Sequence, residues 1–217
     1  KRIKGIIIVE LFGNTVDLKR LSNIAKKNKL TLIGDCAQSF GTKYCGISTV
    51  NYYDYSAISF YPTKILSCYG DGGLLIIKNE KKFNKSLLLK NNGHSLKDKN
   101  TCKVIGMNSR MDSLQAYIID EKMNKFSEVL KRKKVIINYY NKYLSNICKI
   151  PIFNKNNNPN NYIYSFYIDQ KIRNNFLNFM KKNKVQTKVF YKKLLPESMT
   201  LKPLIKTSLT NAHKCKN

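Results

Sequence analysis

Gly5-Ile-Ile-Ile-Val9, Asp17-Leu-Lys-Arg-Leu-Ser-Asn-Ile-Ala-Lys-Lys-Asn28 and Leu30-Thr-Leu-Ile33 form the run that decides the fold. The first piece is short, apolar and β-branched, and reads as a buried strand. Asp17 predicts a helix N-cap, and Leu18, Leu21, Ile24 and Ala25 recur at helical spacing on one face up to about Asn28. The third piece is a second strand that closes on Gly34-Asp35. Strand, helix and strand with short connections make a βαβ unit, the building block of a sheet covered by helices.

Outward from this unit, Tyr55–Phe60 and Gly73–Lys78 read as further strands, joined by a glycine-containing loop that ends in Gly70-Asp-Gly-Gly73. Glu80–Lys90 reads as a helix. A long helix is predicted from about Met111 to Leu144, with Leu114, Ile118, Ile119, Met123, Phe126 and Leu130 on its apolar side. Pro151 and Asn154-Lys-Asn-Asn-Asn-Pro-Asn-Asn161 change the character of the chain. Beyond them, Tyr162–Ile168 alternates like a strand and Lys171–Lys182 like an amphipathic helix. The expected organisation is a large α/β domain over residues 1–146 and part of a smaller α+β domain over 147–217.

Forty Lys and Arg against thirteen Asp and Glu give the 217 residues a net charge of +27. Nucleic-acid binding is one reading of such a charge. The other is compositional drift toward Lys and Asn, because the lysines run through the whole chain and no RNP, KH, zinc-finger or helix-turn-helix pattern accompanies them. On that reading Lys26, Lys27, Lys29, Lys81, Lys82, Lys131, Lys133 and Lys134 are all exposed, with no groove collecting them. Either way the charge favours a phosphate-bearing ligand. The six cysteines show no metal-ligand spacing and only two histidines are present, which argues against a zinc site and for reduced thiols. No apolar stretch approaches the roughly 20 residues of a membrane span, and no signal-peptide pattern opens the chain, so a cytoplasmic location is expected.

Chemistry concentrates in three segments. Ile33-Gly-Asp-Cys-Ala-Gln38 puts an Asp at a strand end, Ser59-Phe-Tyr-Pro-Thr-Lys64 puts Ser and Lys just past another, and Gly70-Asp-Gly-Gly73 enters a third strand. Ligands of α/β proteins gather at the carboxyl ends of strands, so the three loops can meet in one site.

The order D-x-A-Q, S-F-x-x-x-K, G-D-G-G resembles the sugar aminotransferases of the DegT/DnrJ/EryC1/StrS group. Val9-Glu-Leu-Phe-Gly13 and Ile105-Gly-Met-Asn-Ser-Arg-Met-Asp-Ser-Leu-Gln-Ala116 are similar to further blocks of that group. The resemblance covers about Ile6 to Tyr191 and looks closest to the branch that aminates C3 of UDP-3-keto-N-acetylglucosaminuronate. It implies a fold-type-I pyridoxal-phosphate transferase, like aspartate aminotransferase, with a three-layer α/β/α large domain. It implies amino transfer, with glutamate as donor, to a keto group of a UDP- or dTDP-linked sugar, by a homodimer.

By the same resemblance Lys64 is the Schiff-base lysine and the proton carrier, and Asp35 keeps the pyridine nitrogen protonated. Gln38 lies near the ring, and Ser59 donates to the cofactor phosphate. Asn108 reaches that phosphate from the neighbouring subunit, and Arg110 and Tyr191 face the substrate. A dehydratase of the group carries His in place of the lysine, which Lys64 argues against. The group's phosphate-binding turn and its ring-stacking aromatic precede the first strand and have no counterpart here, so the chain is expected to be truncated at both ends. Its P-x-P-L-H-x-Q block is also absent, because Phe190-Tyr191 runs into Lys-Lys-Leu-Leu-Pro-Glu. The alternatives to an aminotransferase are a catalytically incomplete remnant of the group and a basic nucleic-acid-binding module.

Overall fold

The computed structural model describes residues 3–95, 97, 100–151, 153–197, 210 and 212–213. Strand β1 (Gly5–Val9), helix α1 (Leu18–Lys27) and strand β2 (Thr31–Asp35) form the predicted βαβ unit, with β1 and β2 parallel and Ile7 opposite Ile33. Two short strands, β3 (Lys43–Tyr44) and β4 (Ile47–Ser48), pair as a hairpin. Strand β5 (Tyr55–Ser59) then pairs parallel to β2, and β6 (Gly73–Ile77) pairs antiparallel to β5. The four-stranded sheet has the order β1-β2-β5-β6.

Alternation along the strands assigns the two faces. Ile8, Leu32 and Ile58 point into a core shared with Leu18 and Ala25 of α1, and with Tyr53, Phe60, Leu66 and Phe126. The intervening positions lie on the other face, where Ile7 is 67 % exposed and Val9 56 %. Register sets Val9, Asp35, Ala57 and Leu75 in one row across that face. The carboxylate of the D-x-A-Q segment, Asp35, therefore stands at a strand end on the open side of the sheet.

Helices α2 (Glu80–Leu89), α3 (Ser113–Asn124) and α4 (Phe126–Leu144) follow. The single helix expected over 111–144 is two helices. The Lys125 N–H turns back onto the carbonyls of Lys122 and Met123, closing α3 so that the next residue can leave its axis. That residue is Phe126, which is buried with its ring 5.3 Å from that of Phe40. Of the predicted apolar side, Ile119, Phe126 and Leu130 join the core, whereas Leu114 and Met123 lie exposed.

The stretch Tyr162–Ile168 also departs from expectation. Tyr167 is a lone bridge position, and no strand element forms there among the described residues. Side chains occupy the Tyr162 backbone instead: its N–H donates to Asn160 Oδ1 at 3.0 Å, and its carbonyl accepts from Lys133 Nζ at 3.3 Å. The Asn-rich run ahead of it forms a two-residue strand, β7 (Asn157–Asn158), that pairs antiparallel with β3.

By compactness the chain divides into Lys1–Ser165 and Phe166–Asn217. The second unit carries helix α5 (Gln170–Lys182), capped by Asp169, with Phe166 packed edge-on against Phe176. Five of the cysteines are free thiols and the sixth, Cys215, lies outside the described residues. Among the described residues no helix is long and apolar enough to cross a membrane, and no His/Cys/Asp/Glu group could hold a metal ion.

The cap of α1 yields a test. Asp17 Oδ1 accepts from the Arg20 N–H at 3.0 Å and from the Tyr44 hydroxyl at 2.8 Å, and these bonds hold its carboxyl below the ordinary carboxylate range. A depressed folded-state pKa adds stability at neutral pH that is lost as pH falls through it. Asp17→Asn keeps a capping oxygen but has no charge to titrate. The two proteins should therefore differ in unfolding midpoint near pH 7 and draw together as pH falls below the ordinary carboxylate range and Asp17 takes up its proton. Parallel curves across this range would contradict the assignment.

Candidate active site

The site is built from the carboxyl ends of the parallel strands. Asp35 ends β2, and its Oδ1 accepts from the Ala37 N–H at 3.1 Å, which turns the chain sharply into the loop that carries Gln38. Ser59 ends β5, and its hydroxyl accepts from the Tyr61 N–H at 3.3 Å. Asp35 pairs with Ala57, two positions before Ser59, so both side chains project from one edge of the sheet.

Lys64 lies half-buried on the loop that leaves Ser59, its N–H bonded to the Tyr61 carbonyl at 2.8 Å. Its ammonium stands 5.5 Å from the centre of the Tyr162 ring, within cation–π range. The rest of this loop is held from three sides. Cys68 Sγ contacts the carbonyls of Phe60 and Gly70, the Tyr69 N–H donates to Gln115 Oε1, and Lys122 Nζ donates to the Ser67 carbonyl at 2.6 Å. Gly72 and Gly73 close it where space is short, since a Cβ on them would meet Cys68 Sγ at 2.7 Å and the Ile58 carbonyl at 2.9 Å.

Gln38 accepts from the Phe12 N–H at 2.7 Å through Oε1, which leaves its amide N–H groups as the available donors. Asn160 locks the same loop. Its side-chain NH2 donates to the carbonyls of Gln38 at 2.9 Å and Phe40 at 3.0 Å, and its own N–H donates to Thr42 Oγ1 at 3.1 Å. The residue is 1 % exposed and rests on Gly13, which has φ +84° and where a Cβ would lie 1.9 Å from Asn160 Oδ1. A chain of contacts thus runs from Gln38 through Asn160 and Tyr162 to Lys64, bringing the D-x-A-Q loop and the lysine together.

Asn108 and Arg110 are bonded elsewhere. The Asn108 segment bridges to Asn91, and Arg110 Nη1 donates to Asn91 Oδ1 at 2.6 Å, not to Asp112, which caps α3 instead. Both are exposed, and among the described residues neither hydrogen-bonds Asp35, Ser59 or Lys64. Tyr191, half exposed, belongs to the second unit.

Asn160, Tyr162 and Lys122 were not singled out by sequence reasoning. Asn160 is hidden in a low-complexity run, and Tyr162 reads as one more residue of an alternating strand. Glu10, which is fully buried, gave a weak signal: a charge closing an apolar strand.

The lysines expected on solvated faces are exposed except Lys133, which is half-buried against Tyr162 and whose ammonium is pushed below the ordinary lysine range by desolvation. Two of the set, Lys29 and Lys82, join Lys78 and Asp54 in an open notch of about 290 Å³ at the start of β2 and β5, away from the strand ends that carry Asp35 and Ser59.

The donor set fits a phosphate-bearing aldehyde cofactor. A carboxylate and a hydroxyl stand at neighbouring strand ends, and an amine lies on the loop that follows, beside a turn that admits no Cβ.

Comparison with known proteins gives the family. The chain matches the DegT/DnrJ/EryC1/StrS aminotransferase family over residues 1–217. It is 35 % identical over 139 residues to the UDP-2-acetamido-2-deoxy-3-oxo-D-glucuronate aminotransferase of Pseudomonas aeruginosa, a match that covers 64 % of this chain and 38 % of that protein. It is 37 % identical over 122 residues to a pleiotropic regulatory protein of Geobacillus stearothermophilus, covering 56 % and 32 %. The crystal structure of a family aminotransferase from Brucella abortus superposes with a TM-score of 0.85 at 28 % identity, over 92 % of this chain and 52 % of that one. The matches therefore span about a third to a half of these relatives' lengths.

The Asn160 lock predicts a stability cost. Asn160→Ala strips the Gln38 and Phe40 carbonyls of their donor and should destabilise the protein by about 2–3 kcal/mol in denaturant unfolding. A loss under about 0.5 kcal/mol would show that the loop is held elsewhere.

Proposed function

This chain belongs to the DegT/DnrJ/EryC1/StrS aminotransferase family and has the mixed α/β fold of its fold-type-I members. From that premise we propose that the protein containing it transfers an amino group, with glutamate as donor, to a keto group of a UDP- or dTDP-linked sugar. The observation that carries the reading is that Asp35 and Ser59 end neighbouring parallel strands, while Asn160 and Tyr162 tie the loop after Asp35 to Lys64. The aminotransferase activity named for the Pseudomonas relative supports it.

Pyridoxal phosphate, when bound, would supply the carbonyl that exchanges amines and a ring that withdraws electrons from the neighbouring carbon. Asp35 would hold a proton on the ring nitrogen, a role that its carboxylate at a strand end suits. Lys64 would carry the cofactor and, when released, take a proton from the donor's amine-bearing carbon and return it on the other side. Ser59 would donate to the phosphate, and Gln38 would turn its N–H groups to the ring oxygen. Arg110 offers a planar fork for a carboxylate or pyrophosphate, and Tyr191 an aromatic surface for the sugar nucleotide.

Asn108 makes sense in a homodimer. It is exposed, and among the described residues no hydrogen bond joins it to Lys64 within one chain, as fits a residue serving a neighbouring subunit's phosphate. The reading places the reaction in the cytoplasm. The division into a large domain over 1–146 and a smaller one from 147 belongs to the same proposal.

Two experiments on the full-length protein test it. Borohydride reduction in the presence of pyridoxal phosphate should fix the label on one peptide, at Lys64, and label on another lysine would remove the reading. Asp35→Asn should still take the label but slow the half-reaction with glutamate by about 100-fold or more, since the ring loses its counter-charge. An unchanged single-turnover rate would reduce Asp35 to a turn-forming residue.

A further inference from the structure

Glu10 is 0 % exposed, and among the described residues no cation pairs with it. Its carboxylate accepts from the Tyr53 hydroxyl at 2.7 Å on Oε1, and from the Thr49 hydroxyl at 2.9 Å and the Ser39 hydroxyl on Oε2. Its own N–H donates to the Asp35 carbonyl at 3.1 Å. A buried carboxylate costs several kcal/mol in lost hydration unless donors replace the water. Core stability alone gives no reason to keep one in place of an apolar residue of the same volume.

The donors explain its presence. Ser39 directly follows Gln38. Tyr53 lies under Gly34, the residue before Asp35, so closely that a Cβ there would fall 2.4 Å from its ring. Two residues past Glu10, the Phe12 N–H holds the Gln38 side chain. Every residue from Gly34 to Ser39 that bears on the candidate site is thus referenced to Glu10 or its neighbours.

We infer that Glu10 is a positioning residue for cofactor binding: its carboxylate fixes the loop Asp35–Ser39, through Ser39, in the form that presents Asp35 and Gln38 to the pyridine ring. The inference rests on the pyridoxal-phosphate reading of the site. Glu10 touches neither cofactor nor substrate and acts through the loop. Thr49 donates to the same oxygen but lies on the 3₁₀ turn Thr49–Tyr52, outside the loop. Ser39 and Thr49 therefore remove one hydroxyl each from Glu10 with different consequences.

The test uses the full-length protein and three variants, Ser39→Ala, Ser39→Thr and Thr49→Ala. Unfolding midpoints are read alongside pyridoxal-phosphate affinity by visible-absorbance titration, and amide exchange over residues 35–40 is followed without cofactor. Both alanine variants should lose stability. Ser39→Ala should bind cofactor about tenfold more weakly, the worth of one charge-assisted hydrogen bond, and should exchange its loop amides faster. Ser39→Thr restores the hydroxyl and should recover the affinity. Thr49→Ala should keep both cofactor affinity and loop protection within about twofold of the parent.

Equal affinity losses in the two alanine variants would make Glu10 a core residue only and overturn the inference, as would unchanged affinity in Ser39→Ala. If the parent protein itself takes up no cofactor, the reading of the site fails first, and the inference falls with it.

Discussion

A carboxylate taken out of water must be handed donors, and in this fold that requirement ties the main pieces together. Glu10 sits where β1 ends, and its donors come from the loop after β2 and from the turn and residue that lead into β5. The end of β1, the loop after β2 and the segment that enters β5 are thereby joined by hydroxyl–carboxylate bonds, in addition to the strand ladders. The same cluster burdens its neighbours. Burial and the nearby Glu10 charge push the Cys36 thiol up to about 12 and raise the Tyr53 phenol, so both remain neutral donors. The loop that starts at Asp35 is consequently rigid at its far end, Ser39, as well as at its root.

A second constraint acts from the other side. Asn160 is as deeply buried as the core apolar residues, yet it lies far along the chain from the loop it holds. Its amide satisfies two loop carbonyls that no ladder reaches, and Gly13 has no Cβ so that it can fit. This seats the segment 157–162 beneath the D-x-A-Q loop and delivers the Tyr162 ring to Lys64. Lys133 supports the arrangement at the expense of its own hydration, a cost accepted for one bond to the Tyr162 carbonyl.

Local signals carried much of the fold. The Asp17 cap, the apolar spacing of Leu18 to Ala25 and the flanking apolar runs define β1, α1 and β2 almost to the residue. What did not show was non-local. Nothing near Lys125 marks a break between α3 and α4, because the break exists to bring Phe126 to Phe40, a contact set by tertiary packing. Tyr162–Ile168 alternates like a strand, but the side chains of Asn160, two residues before it, and of Lys133, far back in the chain, claim the Tyr162 backbone. For the candidate site, Asp35, Ser59 and Lys64 were legible because strand ends and glycine turns are local features. Asn160 and Tyr162 were not, since composition hides the first and periodicity misassigns the second. The charge reading needed two amendments: Lys133 is half-buried against Tyr162, and Lys29, Lys78 and Lys82 share a notch at the opposite end of the strands.

That notch and the strand-end cluster offer a phosphate two distinct destinations, and they separate the enzyme reading from that of a merely basic surface. The most direct measurement is a crystal structure of the full-length protein grown with pyridoxal phosphate. The account predicts electron density continuous from Lys64 Nζ into the cofactor, the Asp35 carboxylate at the ring nitrogen and the phosphate beside Ser59. A cofactor joined to another lysine, or its phosphate held among Lys29, Lys78 and Lys82 while Lys64 stays free, would contradict it.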